Sequence, residues 1–443
     1  MTIDQFLEDF PAGRLGREMF AIAEGLYPIC RSITGEGLRE TLRTVGRRID
    51  LTIHEVPTGS QVFDWTVPKE WNIRDAWIGR PDGTRVVDFR TSNLHVVNYS
   101  IPVRKVLSLS ELRPHLHSIP DRPDWIPYRT SYYAQDWGFC LTHRQLEALR
   151  EGRYEVCIDS SLEDGHLTYG ECFLPGSTKD EILVSCHACH PSLCNDNLSG
   201  VSLVTMIGEV LSGLERRHGY RLLFVPGTIG PITWLARNEQ GATRIRHGLV
   251  AACVGDAGPL HYKRSRRGDA EIDRAAALML RGKEGSSIEP FSPYGYDERQ
   301  YCSPGFNLAV GSLTRTPHGR YPEYHTSADN LDLIRAESLA DSLRAYLEVF
   351  AILERNATFR NTNPKCEPQL GRRGLYSATG GLRDAKAAEM AMLWVLNLSD
   401  ELHSLLDIAE RSGLGFDSVS AAAKVLSEHG LLERVDRDSD RSE

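Results

Sequence analysis

The chain has 443 residues, of which 41% are hydrophobic and 25% charged, and its formal net charge is -9. That length implies two or three folding units around a sizeable core. The mildly acidic balance excludes a surface built to wrap nucleic acid or to hug an anionic membrane. No run of about 18 apolar residues could span a bilayer, so no membrane partner is expected. The opening MTIDQFLEDFPAGRLGREMF lacks the basic start and apolar core of a signal peptide, and a cytoplasmic location is the expectation. The ten cysteines are scattered except for Cys186, Cys189 and Cys194, and free thiols are expected. A cysteine-based zinc knuckle is the sharper alternative there, because His187 and His190 lie among them, but no second cysteine pair follows.

Residues 15–26 and 37–49 carry apolar side chains at helical spacing and are parted by the loop-forming YPICRSITGEG. From about Thr52 to Ser161 short β-prone runs such as VFDWTV, RVVDF and YEVCID alternate with turns, which reads as a β-rich insertion. From Leu167 to about Leu353 the pattern becomes strand–helix–strand. EILVSC, YRLLFVP and LVAACVGD are nearly continuous apolar runs, as expected of strands buried on both faces. They predict a doubly wound α/β sheet, whose sites lie beyond the carboxyl ends of the strands. After the turn-rich NTNPKCEPQLGRRG, residues 384–433 hold three amphipathic helices, with Gly413 between the second and third. That is helix-turn-helix spacing, with LLERVD as the start of a wing. Only Lys424 and His429 in SVSAAAKVLSEHG could meet phosphates, so docking or dimerisation is favoured there over nucleic-acid binding.

The chemistry concentrates in CHACHPSLCNDNLSG, residues 186–200, between a buried strand and a helix. Pro191 holds the preceding His190 out of helical geometry, at the strand-to-loop junction. His190 and Asp196 offer imidazole and carboxylate, the usual nitrogen and oxygen ligands of hydrolytic zinc. Asp196 could equally cap the following helix, as could Asn195, Asn197 or Ser199. Strand alternation would point His187 to the opposite face, which ranks it below His190. Two further markers are His325 in RTPHGRYPEYHTSADNLDLI and Asp256 in CVGDAG. Taken alone, the first is a loop histidine and the second a turn-forming aspartate.

The order of these residues resembles that of the co-catalytic zinc aminopeptidases and glutamate carboxypeptidases. More closely, the chain resembles a bacterial family of aminopeptidase-like proteins with a β-rich insertion and a C-terminal winged helix. Members often lie in polysaccharide or natural-product gene neighbourhoods. The resemblance is carried by YPICRSITGEGLRETL, DWTVPKEWNI, NLHVVNYSIPV, IPYRTSYYAQDWGFC, CHPSLCNDNLSG, YGYDERQYCSPGFNL and YPEYHTSADNLDLI, and extends through LYSATGG and MLWVLNLSD. It implies an α/β fold with a doubly wound mixed sheet of the zinc aminopeptidase type. Residues 1–51 and 162–360 would form the catalytic domain, 52–161 the inserted domain and 368–443 the winged helix. It further implies that His190, Asp196 and His325 hold a zinc ion, with Asp256 as a fourth ligand.

One departure stands out. After YRLLFVP the family reads Pro-Glu-Thr-Ile-Gly, and here Gly227 stands in place of the glutamate that would act as general base. Thr228 stands where dinuclear relatives keep a carboxylate ligand, so one ion is expected and not two. Glu298 and Glu323 are the candidate substitutes for the base. Arg264, within the basic KRSRRG loop, and Arg299 are candidate substrate-binding residues. Trp65, Trp71, Tyr132, Tyr133 and Trp137 are expected to be mostly core, with one or two forming a pocket wall. The expected activity is metal-dependent hydrolysis of an amide or peptide bond in a small substrate. The alternatives are a metal-dependent acyltransferase or ligase and a non-catalytic metal-binding or regulatory protein. Self-association is left open by the sequence.

Overall fold

The apolar runs pair into one mixed sheet in the computed structural model, which describes residues 1–375 and 382–435. Its eight strands, in chain order, are β1 (Thr52–Pro57), β2 (His166–Leu174), β3 (Glu181–His187), β4 (Gly219–Val225), β5 (Ile245–Ala251), β6 (His261–Lys263), β7 (Ser287–Glu289) and β8 (Val310–Thr314). Their spatial order is β1-β2-β4-β3-β5-β8-β6-β7. The four central strands β4, β3, β5 and β8 run parallel, while β1 and β2 add an antiparallel edge. Every residue of β3 and β4 is buried, which explains why their sequences show no alternation. Even Glu181, at the start of β3, is buried, and it is paired with both Arg221 and Arg244 at 2.7 Å.

Helix α1 (Ser199–Ser212) follows the 186–198 segment and packs on the sheet so closely that glycine is required at its first turn. A Cβ on Gly200 would lie 2.4 Å from the Ala251 carbonyl oxygen at the end of β5. The β-rich stretch divides its roles. Its first strand is the edge strand β1. Residues 70–79, 85–88, 103–108 and 153–163 form a separate four-stranded antiparallel sheet. That sheet has its own core, including Ala76, Ile78, Phe139, Val156 and Ile158. A loop from this stretch returns to the main sheet's carboxyl edge, where Pro127 bridges Thr326.

The chain divides into two compact units, Met1–Glu348 and Val349–Glu443. In the second, strands Thr358–Asn361, Asp400–Ser404 and Leu432–Val435 form an antiparallel sheet. It carries helices Leu382–Leu398, Leu405–Ser412 and Phe416–Glu428. Ser404 and Asp407 form a capping box on the middle helix, and Gly413 ends that helix in the left-handed conformation. The first strand of this unit thus precedes the polar link NTNPKCEPQLGRRG and shares only Asn361 with it. Tyr376–Gly381, part of the LYSATGG match, lie outside the described residues.

Candidate metal centre

The carboxyl ends of β3, β4, β5 and β8 lie side by side, and the loops leaving them supply the polar groups of the site. Strand β3 ends at His187, and Ala188 makes the last link to the sheet through Val225. Residues 194–198 form an irregular turn with non-helical backbone at Asp196 and Asn197, and the Asp196–Asn197 peptide is cis. Asn197, not Asp196, caps the helix, since its Oδ1 accepts the Gly200 N–H at 3.2 Å. Asp196 is thereby left to face the site.

There it meets three imidazoles. His187 Nε2 lies 2.7 Å from Asp196 Oδ1. His325 Nε2 lies 3.0 Å and His190 Nδ1 3.3 Å from Asp196 Oδ2. One donor atom each from His187, His190 and Asp196 falls within 4.8 Å of the others, a set able to hold one cation. Asp196 is fully buried. Burial alone would raise its carboxyl, but the facing His190 and His187 imidazoles together hold it well below the usual carboxylate range. Burial pulls His187 down, and the Asp196 charge outweighs that and raises it. For His190 burial prevails and the imidazole is held low. This donor chemistry fits a divalent metal, which would take the place of shared protons between these groups.

The expectation that His187 faces away from the cluster is incorrect. Alternation does not run on to His190, because the strand stops at His187 and the chain turns. Asp256 also has a different role. Its carboxylate accepts from Gly258 N at 2.7 Å, Thr316 Oγ1 at 2.6 Å and Asn195 Nδ2 at 2.9 Å. It braces Asn195, whose Oδ1 in turn accepts the Gly255 N–H. It forms the turn that local spacing allowed. Asp329, from the YHTSAD segment, does for the ligand turn what Asp256 does for Asn195. Its carboxylate accepts the N–H groups of Asn195 at 2.6 Å and Asp196 at 3.0 Å. Burial pushes Asp329 up to about 7 despite these bonds.

The other candidates are distributed as follows. Glu298 is buried and ion-paired through Oε1 to Lys263 at 2.8 Å. Glu323 is half-buried, and its carbonyl takes the Thr326 N–H and hydroxyl. Arg264 folds back on the Gly268 carbonyl at 2.5 Å, and Arg266 and Arg267 bind Asn307. The basic loop thereby ties itself to the loop at Asn307. Arg299 does reach the Gly227–Thr228 turn, with Nη2 3.5 Å from Thr228 Oγ1. Trp71 and Trp137 are core, whereas Trp65 and Tyr133 are exposed and pack edge to face. Trp65 lines a cleft of about 420 Å³ with Phe63, Ile232, Gln300 and Phe306. The histidines themselves are walled by tyrosines that composition did not single out. Tyr128 meets both His190 and His325 edge-on, Tyr296 stacks on His187 and Tyr324 stacks on His325.

A family model described as "Domain of unknown function (DUF4910)" matches residues 20–356. The chain belongs to this DUF4910 family. A winged helix-turn-helix model matches residues 357–434, the segment that forms the second unit's sheet and helices. A Clostridium acetobutylicum protein is 52% identical over 98% of this chain and 99% of its own length. It is provisionally named a polysaccharide biosynthesis protein with an aminopeptidase-like domain. A crystal structure of a C. acetobutylicum protein provisionally called a peptidase superposes with a TM-score of 0.92, at 51% identity, over 98% of this chain and 99% of that one. The zinc aminopeptidase BSAP of Bacillus subtilis matches with a TM-score of 0.57 at 11% identity, over 77% of this chain and 94% of its own. An M28 peptidase precursor from Shewanella amazonensis gives 0.52 at 15% identity, over 80% and 97%. These distant likenesses show the fold. The DUF4910 chain is an aminopeptidase-like protein with a C-terminal winged helix.

Proposed function

We propose that this protein is a metal-dependent hydrolase that cleaves an amide or peptide bond in a small substrate, with zinc as the metal. The carrying observation is the convergence of His187, His190 and His325 on the buried Asp196 at the carboxyl edge of a parallel sheet. These four residues would hold the ion. Zinc bound there supplies Lewis acidity, which polarises a carbonyl and eases ionisation of water. The protein's own part is to orient and enclose. Asp329 fixes the backbone of Asn195 and Asp196, and the Tyr128, Tyr296 and Tyr324 rings pack the imidazoles and narrow the approach of water. The relatives named as aminopeptidase-like and the zinc aminopeptidase fold support the same reading. The test is to measure bound zinc in the purified protein and its turnover of aminoacyl anilides, before and after chelation. Zinc-dependent turnover is expected. A protein that binds no zinc, or that hydrolyses equally after chelation, would contradict the proposal.

A second reading, acyl transfer to an amine, is favoured by one feature. At Gly227 a Cβ would make only ordinary contacts, 3.6 Å from Cys189 Sγ and 3.8 Å from His187 Cβ. That space holds no carboxylate of residue 227 to help water, and an acceptor could enter it. Adding a primary amine and following product partition separates the two, since transfer predicts a new amide that grows with amine concentration.

A further inference from the structure

Asp297 and Arg299 contact the Gly227–Thr228 turn, and Glu298 lies between them in sequence. Each has one buried polar atom without a hydrogen-bond partner among the described residues, namely Asp297 Oδ2, Glu298 Oε2 and Arg299 Nε. A buried orphan atom costs about 1–3 kcal/mol, so three in succession need a reason. The turn is strained as well, because Thr228 has φ +64° although it is not glycine. Asp297 holds that turn, accepting the Thr228 N–H on Oδ1 at 2.7 Å. Asp297 is only 3% exposed. Burial pushes its carboxyl up to about 6, against the opposing pull of His187, the Thr228 N–H and Arg299, while Glu298 adds to the rise. The thiols of Cys186 and Cys189 and the phenol of Tyr301 also face it, and burial pushes all three up.

The other carboxylates near the site are committed elsewhere. Glu298 has Lys263, Asp256 has Thr316 and Asn195, and Asp329 has two backbone N–H groups. Asp297 alone among these combines a fully buried carboxyl, an unpartnered oxygen and a place one residue from the missing side chain of Gly227.

We infer that Asp297 is the proton acceptor of the reaction, replacing from the 294–301 segment the carboxylate that residue 227 no longer supplies. The inference rests on the hydrolytic reading above. A water oxygen bonds to the substrate carbonyl carbon, and the water proton passes to Asp297. The carbon–nitrogen bond then breaks, and the same proton moves from Asp297 to the departing amine. Water has added across the bond, and nothing is oxidised or reduced. A general base in this position is typically responsible for about 10²–10⁴ in rate.

The experiment compares the full-length zinc-loaded parent, Asp297→Asn and Asp297→Asn/Gly227→Glu on an aminoacyl anilide. Zinc content and affinity for an amino-acid hydroxamate are measured alongside. Asp297→Asn is expected to lower kcat by about 10²–10⁴. It should leave KM, zinc content and hydroxamate affinity within a few-fold, and should remove the acidic limb of the parent's pH–rate profile. Adding Gly227→Glu should restore turnover at least about tenfold. In the metal-free protein at pH 5, Asp297→Asn should lose one of the parent's protonated-carboxyl infrared bands, while that of Asp329 remains. An active parent matched by an equally active Asp297→Asn would overturn this inference alone. So would loss of zinc or hydroxamate affinity in proportion to activity, which marks a supporting role only, or failure of Gly227→Glu to restore turnover. A zinc-loaded parent without turnover would overturn the hydrolytic reading and this inference with it.

Discussion

At the scale of single residues, the site is made by what each carboxylate has as a partner. Asp196 has three imidazoles, so removing any one of them should reach the metal. His187→Ala, His190→Ala and His325→Ala are each expected to lose most of the bound zinc on dialysis, measured by elemental analysis. Asp256→Ala should instead retain zinc and lose stability. It strands the Asn195 amide, the Gly258 N–H and the Thr316 hydroxyl, at about 1–3 kcal/mol for each donor left unpaired. Zinc loss from Asp256→Ala equal to that from the histidine variants would restore it as a ligand. Asp297 gives a pH-dependent result of defined sign. Its carboxyl rises from 3.8 to about 6 on folding. Below pH 3.8 it is neutral in both states, and between the two values the folded chain keeps a proton that the unfolded chain has lost. Stability from this group is therefore present at low pH and lost as pH rises through about 6, a cost of about 3 kcal/mol above it. Asp297→Asn should leave metal-free stability unchanged near pH 4 and raise it by up to about 3 kcal/mol at pH 7.5, read by urea unfolding. A variant destabilised at pH 7.5 would show that burial does not penalise the charge.

At the scale of elements, helix α1 is what seats the ligand turn. Gly200 lets its first turn lie against the Ala251 carbonyl, and Asn197, one residue after Asp196, contacts the same carbonyl through Nδ2 at 3.0 Å. Gly200→Ala should push the helix outward, costing about 1–3 kcal/mol from overpacking and weakening zinc binding together. Unchanged zinc affinity and thermal midpoint would mean the helix has slack. The same elements show what the sequence could and could not tell. The strands EILVSC and YRLLFVP were readable because burial on both faces leaves a continuous apolar run. That His190 and His325 meet Asp196 was anticipated only through the family resemblance, since local spacing left Asp196 a possible cap and His325 a loop histidine. His187 was not, because alternation carries meaning only while the strand continues, and this one ends at the very residue in question. Asp297 was hidden for another reason. It sits beside Glu298 in YGYDERQY, and only the fold shows that Lys263 pairs the glutamate and leaves an aspartate oxygen unpartnered. The tyrosine walls were equally invisible, since Tyr128, Tyr296 and Tyr324 come together from three separate segments.

At the scale of the whole molecule, the metal-capable site lies entirely within the Met1–Glu348 unit, and the winged helix is a second unit with its own sheet. Limited proteolysis should cut first within 361–372, and the C-terminal piece of roughly 70–80 residues should stay attached until denatured, because strand Thr358–Asn361, before the cut, is paired on both sides by strands that follow it. A first cut inside 200–330 would contradict this organisation. The proposed placement of zinc by His187, His190, Asp196 and His325 is open to direct observation by anomalous scattering at the zinc edge from crystals of the zinc-loaded protein. The expected result is a zinc peak at about 2.0–2.2 Å from donor atoms of Asp196 and at least two of these histidines. A peak elsewhere in the chain, or none at saturating zinc, would contradict the account of the site.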